Sequence, residues 1–189
     1  MPRSKSYDVE QVFSNALIFV RKNGYRGCDM DRLIQVTQFN RRAFYLEFGK
    51  KELFFNELTK FYIDHSLIPM TKQLYLHNDM HANLTAYFNA YHALLKDGPC
   101  LLVRLLSEIG NDNSVINTLA KAYYDELTQH FIASFEKSKH ALSSTGASKV
   151  EQLALQLMFL TQSYALTYNL PQGKEDIHLL LKRLLDDVA

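Results

Sequence analysis

The segment from Asn40 to Leu53 holds the side chains whose types and spacing are best suited to binding chemistry in this chain. An asparagine precedes two arginines and a tyrosine, and two lysines follow a glycine a few residues later. Arginine can bind O6 and N7 of guanine through two hydrogen bonds, and tyrosine and lysine can bind phosphate oxygens. Phe44 and Phe48 are four residues apart, so a short helix can bury both rings and leave the basic side chains outside. The segment therefore predicts an exposed helix that binds nucleic acid.

The residues before this segment predict the elements that must position it. Asp29 is suited to cap a short helix, and Asn40 is suited to cap the next one. Gln38 and Phe39 lie between the two helices and form the predicted turn. Two short helices joined in this way indicate a helix-turn-helix, whose second helix places its N-terminal residues in the major groove of DNA.

The charge distribution agrees with DNA binding at the N-terminus. Residues 1–60 contain 11 basic and 7 acidic residues, whereas residues 61–189 contain 10 basic and 13 acidic residues. The net charge of +1 for the whole chain therefore conceals a basic first third. A basic region of this kind favours contact with a polyanion.

Composition and spacing argue against several other classes of protein. A hydrophobic content of 47% is sufficient for a core, but no apolar run is long enough for a membrane span, and the N-terminus lacks a signal-peptide pattern. We therefore expect a cytoplasmic protein without a membrane partner. Cys28 and Cys100 are not spaced as metal ligands, and His77 and His81 lack a third ligand at motif spacing. Cys100 and His92 offer a nucleophile and a base, but their spacing does not indicate an active site, so we expect no metal, cofactor or catalytic residue.

Hydrophobic periodicity along the rest of the chain is helical. Apolar residues recur at steps of three and four in successive segments, and the glycines and prolines fall between them. We predict an all-α fold of about nine helices, with a three-helix DNA-binding domain at residues 1–50 and a helical ligand-binding and dimerisation bundle at residues 51–189. Pro69 lies within the extrapolated fourth helix, so a break or kink is expected at Ile68.

The N-terminal region resembles the TetR family of transcriptional repressors. The resemblance rests on Gly24-Tyr25, Met30, Leu33-Ile34 and the run from Ala43 to Phe54, and it covers roughly residues 8–56. By position it implies DNA contacts at Thr37, Arg41, Tyr45 and Lys51, and the residue types add Asn40, Arg42, Leu46 and Lys50. Leu46 is either an exposed contact to a thymine methyl group or a core residue.

Three positions depart from the family pattern. Gln38 replaces the turn glycine, so the turn is made by a residue for which positive φ is costly. Arg42 replaces a small residue, and Glu47 places a carboxylate beside the presumed DNA face.

The C-terminal two-thirds is rich in tyrosine and is the predicted sensor region. The run Gly98-Pro99-Cys100-Leu101-Leu102, with Glu108, resembles a subgroup of the same family, some members of which sense electrophiles through this cysteine, although Pro99 interrupts the motif here. Cys100 is then either a sensor thiol, activated near a helix N-terminus, or a packed apolar residue. The candidate ligand-binding residues are Tyr62, Tyr87, Tyr91, Cys100, Arg104, Glu108, Tyr123 and Phe159.

The last two helices have more apolar surface than one core face requires, which indicates a partner. We predict a homodimer with two-fold symmetry, built from these helices as a four-helix bundle, as the resemblance also implies. The candidate dimerisation residues are Leu153, Leu157, Leu160, Tyr164, Ile177, Leu180, Leu181 and Leu184.

The sequence thus predicts a repressor that binds a near-palindromic double-stranded DNA operator as a homodimer. An unknown small molecule, or one that reacts with a thiol, would release it from the operator. The alternative is a helical dimeric interaction protein with the same fold but without sequence-specific DNA binding. Gln38 and Glu47 would then mark the loss of DNA reading.

Overall fold

The computed structural model describes residues 8–138, 147–170 and 173–186. These residues form nine α-helices and no strand, so the predicted all-α class is confirmed. A π-helical turn, Ile63–Leu67, and a 3₁₀ segment, Ile68–Tyr75, follow the fourth α-helix. The helices are α1 (Val9–Asn23), α2 (Met30–Thr37), α3 (Arg41–Phe48), α4 (Lys51–Tyr62), α5 (Met80–Lys96), α6 (Leu101–Ile109), α7 (Ser114–Lys137), α8 (Ala147–Thr167) and α9 (Gly173–Asp186).

Short polar side chains start several of these helices. Asp29 Oδ1 accepts a hydrogen bond from Arg32 N at 2.8 Å, and Asp79 Oδ2 accepts one from Ala82 N at 2.7 Å. Such caps satisfy N–H groups that have no partner within the helix, and each contributes about 1 kcal/mol. The cap predicted at Asp29 is confirmed.

The described residues pack as two compact units. The first contains the helices up to Asp64 together with Gly98–Leu119, and the second contains His65–Asp97 and the residues from Ala120 onward. Helices α4 and α6 thus pack with the first three helices. The functional division at residue 50 stays a prediction, because packing alone does not show which residues bind DNA.

Phenylalanine rings form the core of the first unit and hold α3 in place. The ring of Phe44 lies 5.0 Å from that of Phe48 and 5.0 Å from that of Phe54, measured between centroids. Phe13 of α1 lies 5.6 Å from Phe48 and 5.7 Å from Phe54. Tilted and edge-on ring pairs at these distances add to the stabilisation from burial. One face of α3 is therefore locked against α1 and α4.

The second unit has its own aromatic core. Tyr87 of α5 lies 5.3 Å from Phe88 and 5.4 Å from Phe131 of α7, again between centroids. Ser134 Oγ donates a hydrogen bond to the carbonyl oxygen of Leu74 at 2.7 Å, which attaches the 3₁₀ segment to α7.

The break expected at Ile68 begins earlier than the sequence indicated. Regular α-helix ends at Tyr62, and the π-helical turn occupies Ile63–Leu67. Pro69 has no N–H, and its ring would clash with the carbonyl of the residue four positions earlier in a regular α-helix. The wider π-turn upstream accommodates that ring before the 3₁₀ segment begins.

Gln38 is, among the described residues, the single non-glycine residue with positive φ, at φ 57° and ψ 27°. The left-handed conformation costs an L-residue with a side chain about 1–2 kcal/mol. We expect Gln38→Gly to raise the free energy of unfolding by about 1 kcal/mol in urea denaturation, because glycine adopts this conformation freely. Gln35→Gly, within α2, is the control and should lower it by a similar amount. An equal loss in both variants would contradict this account of the turn.

Candidate nucleic-acid interface

Helix α3 has its polar side in solvent and its apolar side in the aromatic core. Asn40 Oδ1 accepts hydrogen bonds from Arg42 N at 2.8 Å and Ala43 N at 3.4 Å, so the predicted cap is confirmed. The cap starts the helix such that Arg41 and Arg42 are exposed on its first turn, and Tyr45 is exposed one turn later. A recognition helix needs this arrangement, because its N-terminal turns meet the base edges.

Leu46 lies on the same exposed surface. Its relative exposure is 78%, so of the two alternatives for this residue the core position is excluded. A leucine exposed beside Tyr45 is suited to apolar contact with a thymine methyl group. That contact stays a prediction.

Thr37 is placed differently from the prediction. It is only 3% exposed, and its hydroxyl donates to the carbonyl oxygens of Leu33 and Ile34, each at 2.9 Å. The short β-branched side chain folds back onto the last turn of α2, where it satisfies carbonyl groups near the helix end. Thr37 therefore supports the turn, and we remove it from the set of direct DNA contacts.

Arg41 has a protein partner that the sequence analysis missed. Its guanidinium forms an ion pair with the carboxylate of Asp31, in the first turn of α2, and both side chains are more than half exposed. An exposed pair of this kind contributes at most about 1 kcal/mol, so a base or phosphate can replace Asp31. The two residues lie on different helices, and no regular spacing in the sequence signals their contact.

The N-terminus of α4 provides a second basic position. Lys50 is its N-cap residue and makes no side-chain capping bond, so the first N–H groups of α4 can donate to an anion. Lys51 Nζ lies 4.4 Å from the ring centroid of Tyr25, a cation–π contact that keeps the ammonium near the helix end. Burial, and next the Glu52 carboxylate, raise the pKa of Tyr25, so the phenol under the lysine stays neutral.

Arg104 and Glu108, predicted as ligand-binding residues, have other partners. Arg104 Nε donates to Glu108 Oε1 at 2.8 Å, and Arg26 N donates to Glu108 Oε2 at 3.0 Å. Burial by itself would raise the pKa of Glu108, but the hydrogen bonds from Arg26 N–H and Arg104 lower it overall. Both side chains of α6 thus bind the end of α1 and the α1–α2 loop. Periodicity in one helix could not show this, because the partners are about 80 residues away in the sequence.

Cys100 and Tyr62 lie in the same buried cluster of the first unit. Cys100 is the N-cap residue of α6 and is buried, as is Tyr62. Burial, and next the neighbouring Cys100, raise the pKa of Tyr62 well above its ordinary value. Arg21, also buried, donates from Nε to the carbonyl oxygen of Pro99 at 3.0 Å and lies 5.7 Å from the Tyr62 ring centroid. The cluster is closed to solvent, which favours packing over the sensor thiol for Cys100.

We expect both thiols to react slowly with 5,5′-dithiobis(2-nitrobenzoic acid) in the folded protein at pH 8. Burial raises the pKa of Cys28 to about 11, although Lys51 opposes the shift, so about one thiol in a thousand is ionised at that pH. Unfolding in guanidinium chloride should make both thiols react rapidly. In the Cys100→Ser variant the reaction reports on Cys28 alone. Fast modification of Cys100 that also abolished DNA binding would restore the sensor interpretation.

The other predicted ligand-binding residues belong to the second unit. Tyr87, Tyr91 and Tyr123 are buried there, as a sensor core requires. Phe159 is 57% exposed on α8, so it lies outside that buried core, and its ligand contact stays a prediction. Helix α8 is apolar around most of its circumference, and only packing decides which of its aromatic residues face inward.

The predicted dimerisation residues also include both exposed and buried side chains. Leu180 is exposed and Leu160 and Leu184 are half-buried, whereas the other five are buried within the chain and are not part of its exposed apolar surface. The exposed apolar surface, which we call the α8–α9 face, is displaced around the helices from the predicted one. It consists of Leu155, Phe159, Leu166, Leu170, Leu179 and Leu180.

A pocket of about 240 Å³ opens between α8 and α9, beside the α8–α9 face. Its lining is mostly apolar, and three of the lining residues, a serine, a threonine and a tyrosine, carry hydroxyl groups. The lining residues are Leu160, Ser163, Tyr164, Thr167, Leu170, Ile177 and Leu180.

Within the described ranges, no group of three His, Cys, Asp or Glu side chains could hold a metal ion. No helix in this part of the chain is long and apolar enough to cross a membrane.

Solved structures with this architecture match almost the whole chain. The regulator CifR of the TetR family, as a cysteine mutant complexed with 26-base-pair operator DNA, is 18% identical with a TM-score of 0.77, over 97% of this chain and 98% of that chain. A TetR family regulator from Cytophaga hutchinsonii is 14% identical with a TM-score of 0.81, over the same shares. The reduced form of NemR from E. coli is 18% identical with a TM-score of 0.73, over 96% of this chain and 95% of that chain.

Comparison by sequence finds no matching family model and no similar curated protein. The similarity therefore lies in the backbone architecture rather than in extended sequence identity. The chain has the fold of the TetR family of transcriptional regulators.

Proposed function

We propose that this protein is a transcriptional regulator that reads DNA with α3. The observation that carries the proposal is the two-sided character of this helix. Its inner face is locked by Phe44 and Phe48, and its outer face exposes Arg41, Arg42 and Tyr45. The fold is also that of a regulator solved on operator DNA.

The exposed side chains divide by chemistry into two groups. Arg41 and Arg42, in the first turn of α3, are suited to guanine edges, and Leu46 to thymine methyl groups. Tyr45 and the α4 N-terminus with Lys50 and Lys51 are suited to phosphate oxygens. Phosphate contacts fix the register of the protein on the duplex, and the arginines then read the sequence.

We infer that the α8–α9 face joins two copies of the chain. It exposes six large apolar side chains, and a pocket that can accept an apolar side chain lies beside it. A two-fold dimer would present two copies of α3 to successive major-groove faces, so the operator would be near-palindromic.

The regulatory part of the proposal is a small molecule bound in the second unit that releases the DNA. The buried Tyr87, Tyr91 and Tyr123 support it, because hydroxyl groups within an apolar core are typical of small-molecule sites.

The test is selection of duplexes from a random-sequence pool by the purified full chain. We expect enrichment of a near-palindromic duplex whose affinity falls steeply as salt rises, because phosphate contacts release counterions. A folded dimer that binds no duplex at low salt, or binds all duplexes equally, would contradict the proposal. That result would favour the dimeric interaction protein instead.

Phe159→Glu should convert the dimer to a monomer at micromolar concentration. The substitution would bury a charge in the proposed interface and remove a ring, 57% exposed in the single chain, that contributes about 1–2 kcal/mol per copy when covered. Leu76→Glu, at an exposed leucine elsewhere in the second unit, is the matched control and should leave the protein dimeric. Sedimentation velocity measures both, and a dimeric Phe159→Glu protein would exclude this face as the interface.

A further inference from the structure

Helix α6 holds the end of α1 and the α1–α2 loop through a set of charged hydrogen bonds. Glu108 accepts from Arg26 N at 3.0 Å with one carboxylate oxygen and from Arg104 Nε at 2.8 Å with the other. Its main-chain carbonyl accepts from Arg26 Nη2 at 2.9 Å. The main-chain N–H and the guanidinium of Arg26 therefore both bind Glu108 of α6.

Arg104 extends this set to the last turn of α1. Its Nη1 donates to the carbonyl oxygens of Lys22 at 3.0 Å and Arg21 at 3.3 Å. The last carbonyls of a helix lack partners within it, and a guanidinium also suits the negative end of the helix dipole. Arg104 thus caps α1 from another helix while it orients the Glu108 carboxylate.

The close approach depends on Gly24, which follows α1. A Cβ atom at this position would lie 2.0 Å from Glu108 Oε1 and 2.4 Å from Arg104 Nε. The backbone there has φ 70° and ψ −171°, a conformation almost confined to glycine. A side chain at this position would therefore have to displace the Glu108 carboxylate and the Arg104 guanidinium.

The α1–α2 loop leads directly to the DNA-reading elements. Two residues after Arg26, Cys28 is buried, and Asp29 then caps α2. In the first turn of α2, Asp31 pairs with Arg41 of α3. A displacement of the loop would consequently move the start of α2 and the partner of Arg41.

We propose that Glu108 and Arg104 are positioning residues for DNA reading, which set the register of α2 and α3 by holding the α1–α2 loop. The inference rests on the proposed function, because it assumes that α3 reads DNA. The two residues do not contact DNA themselves. Their side chains are 17% and 30% exposed, so water competes weakly for their hydrogen bonds.

The test compares Glu108→Gln with Glu57→Gln, which removes an exposed carboxylate of α4 in the same unit. The probes are a duplex selected from a random pool by the unmodified protein and a scrambled duplex of equal length. We expect Glu108→Gln to lose at least tenfold in affinity for the selected duplex and less than threefold for the scrambled one, since binding to the scrambled duplex rests on phosphate contacts, which carry no sequence information. Glu57→Gln should change neither affinity.

Two further measurements distinguish positioning from loss of fold. Glu108→Gln should retain the helical circular dichroism and the mass of the unmodified protein, while the Arg26 amide exchanges its hydrogen faster. Arg104→Lys keeps the charge but loses the fork that reaches both α1 and Glu108, and should show the same selective loss.

Unchanged affinities in Glu108→Gln and Arg104→Lys, or equal losses of these variants for the two duplexes, would overturn the inference and leave the proposed function intact. Failure of the unmodified protein to select any duplex would overturn the proposed function and the inference with it.

Discussion

Gly24→Ala is expected to lower the free energy of unfolding by about 3–5 kcal/mol. The backbone conformation at this residue costs a non-glycine residue about 1–3 kcal/mol. The new methyl group would also push Glu108 and Arg104 out of hydrogen-bond distance, and hydrogen bonds to charged groups contribute about 1.5–3 kcal/mol each. Urea denaturation of the purified chain measures the sum.

Gly49→Ala is the matched control for this prediction. Gly49 also has positive φ, at 67°, but an added Cβ would meet only the end of the Leu53 side chain, at 3.3 Å. Gly49→Ala should therefore lower the free energy of unfolding by the cost of the backbone strain, about 1–3 kcal/mol, because the new methyl group displaces few neighbouring atoms. If the two variants were equally destabilised, the packing of α6 against Gly24 would not have the role assigned here.

Arg41→Ala is expected to relax sequence preference in DNA binding. A bidentate contact from arginine to guanine contributes about 1–3 kcal/mol of discrimination, so the selected duplex should lose roughly 5- to 150-fold in affinity. Binding to a scrambled duplex should change much less, because the contact assigned to Arg41 is to a base edge, which a scrambled duplex does not present in the right place. Fluorescence anisotropy with both duplexes measures the ratio.

Lys51→Ala provides the contrast, because its proposed partner is a phosphate. Loss of the Lys51 ammonium should weaken binding to both duplexes by a similar factor and reduce the slope of log affinity against log salt concentration by about 1. If both variants lost affinity equally and without regard to sequence, the division into base-reading and phosphate-binding residues would be wrong.

The exposed basic face of α3 could be predicted from the sequence because its signals are local. Asn40 caps the residues that follow it, and Phe44 and Phe48 share a face one turn apart. Such relations depend only on helix geometry, in which positions three and four apart lie on the same side. The helices and the exposed arginines of α3 therefore followed from residue spacing, with only the alternatives for Leu46 left open.

Residues whose roles depend on distant partners could not be assigned in this way. Thr37 matched a position of DNA contact, yet its hydroxyl folds back onto α2. Phe159 was predicted to line a ligand site, yet it is exposed on the α8–α9 face. In a helix that is apolar on several sides, periodicity does not distinguish the core face from a face left for a partner.

The sequence by itself determined the helical class, the positions of the caps and the basic character of α3, because short-range geometry and propensity decide each of these. Only the tertiary structure decided that Glu108 and Arg104 bind the end of α1 beside Gly24, and that Asp31 pairs with Arg41. The physical reason is that these contacts join groups on different helices, and their distances are set by how the helices pack rather than by residue spacing.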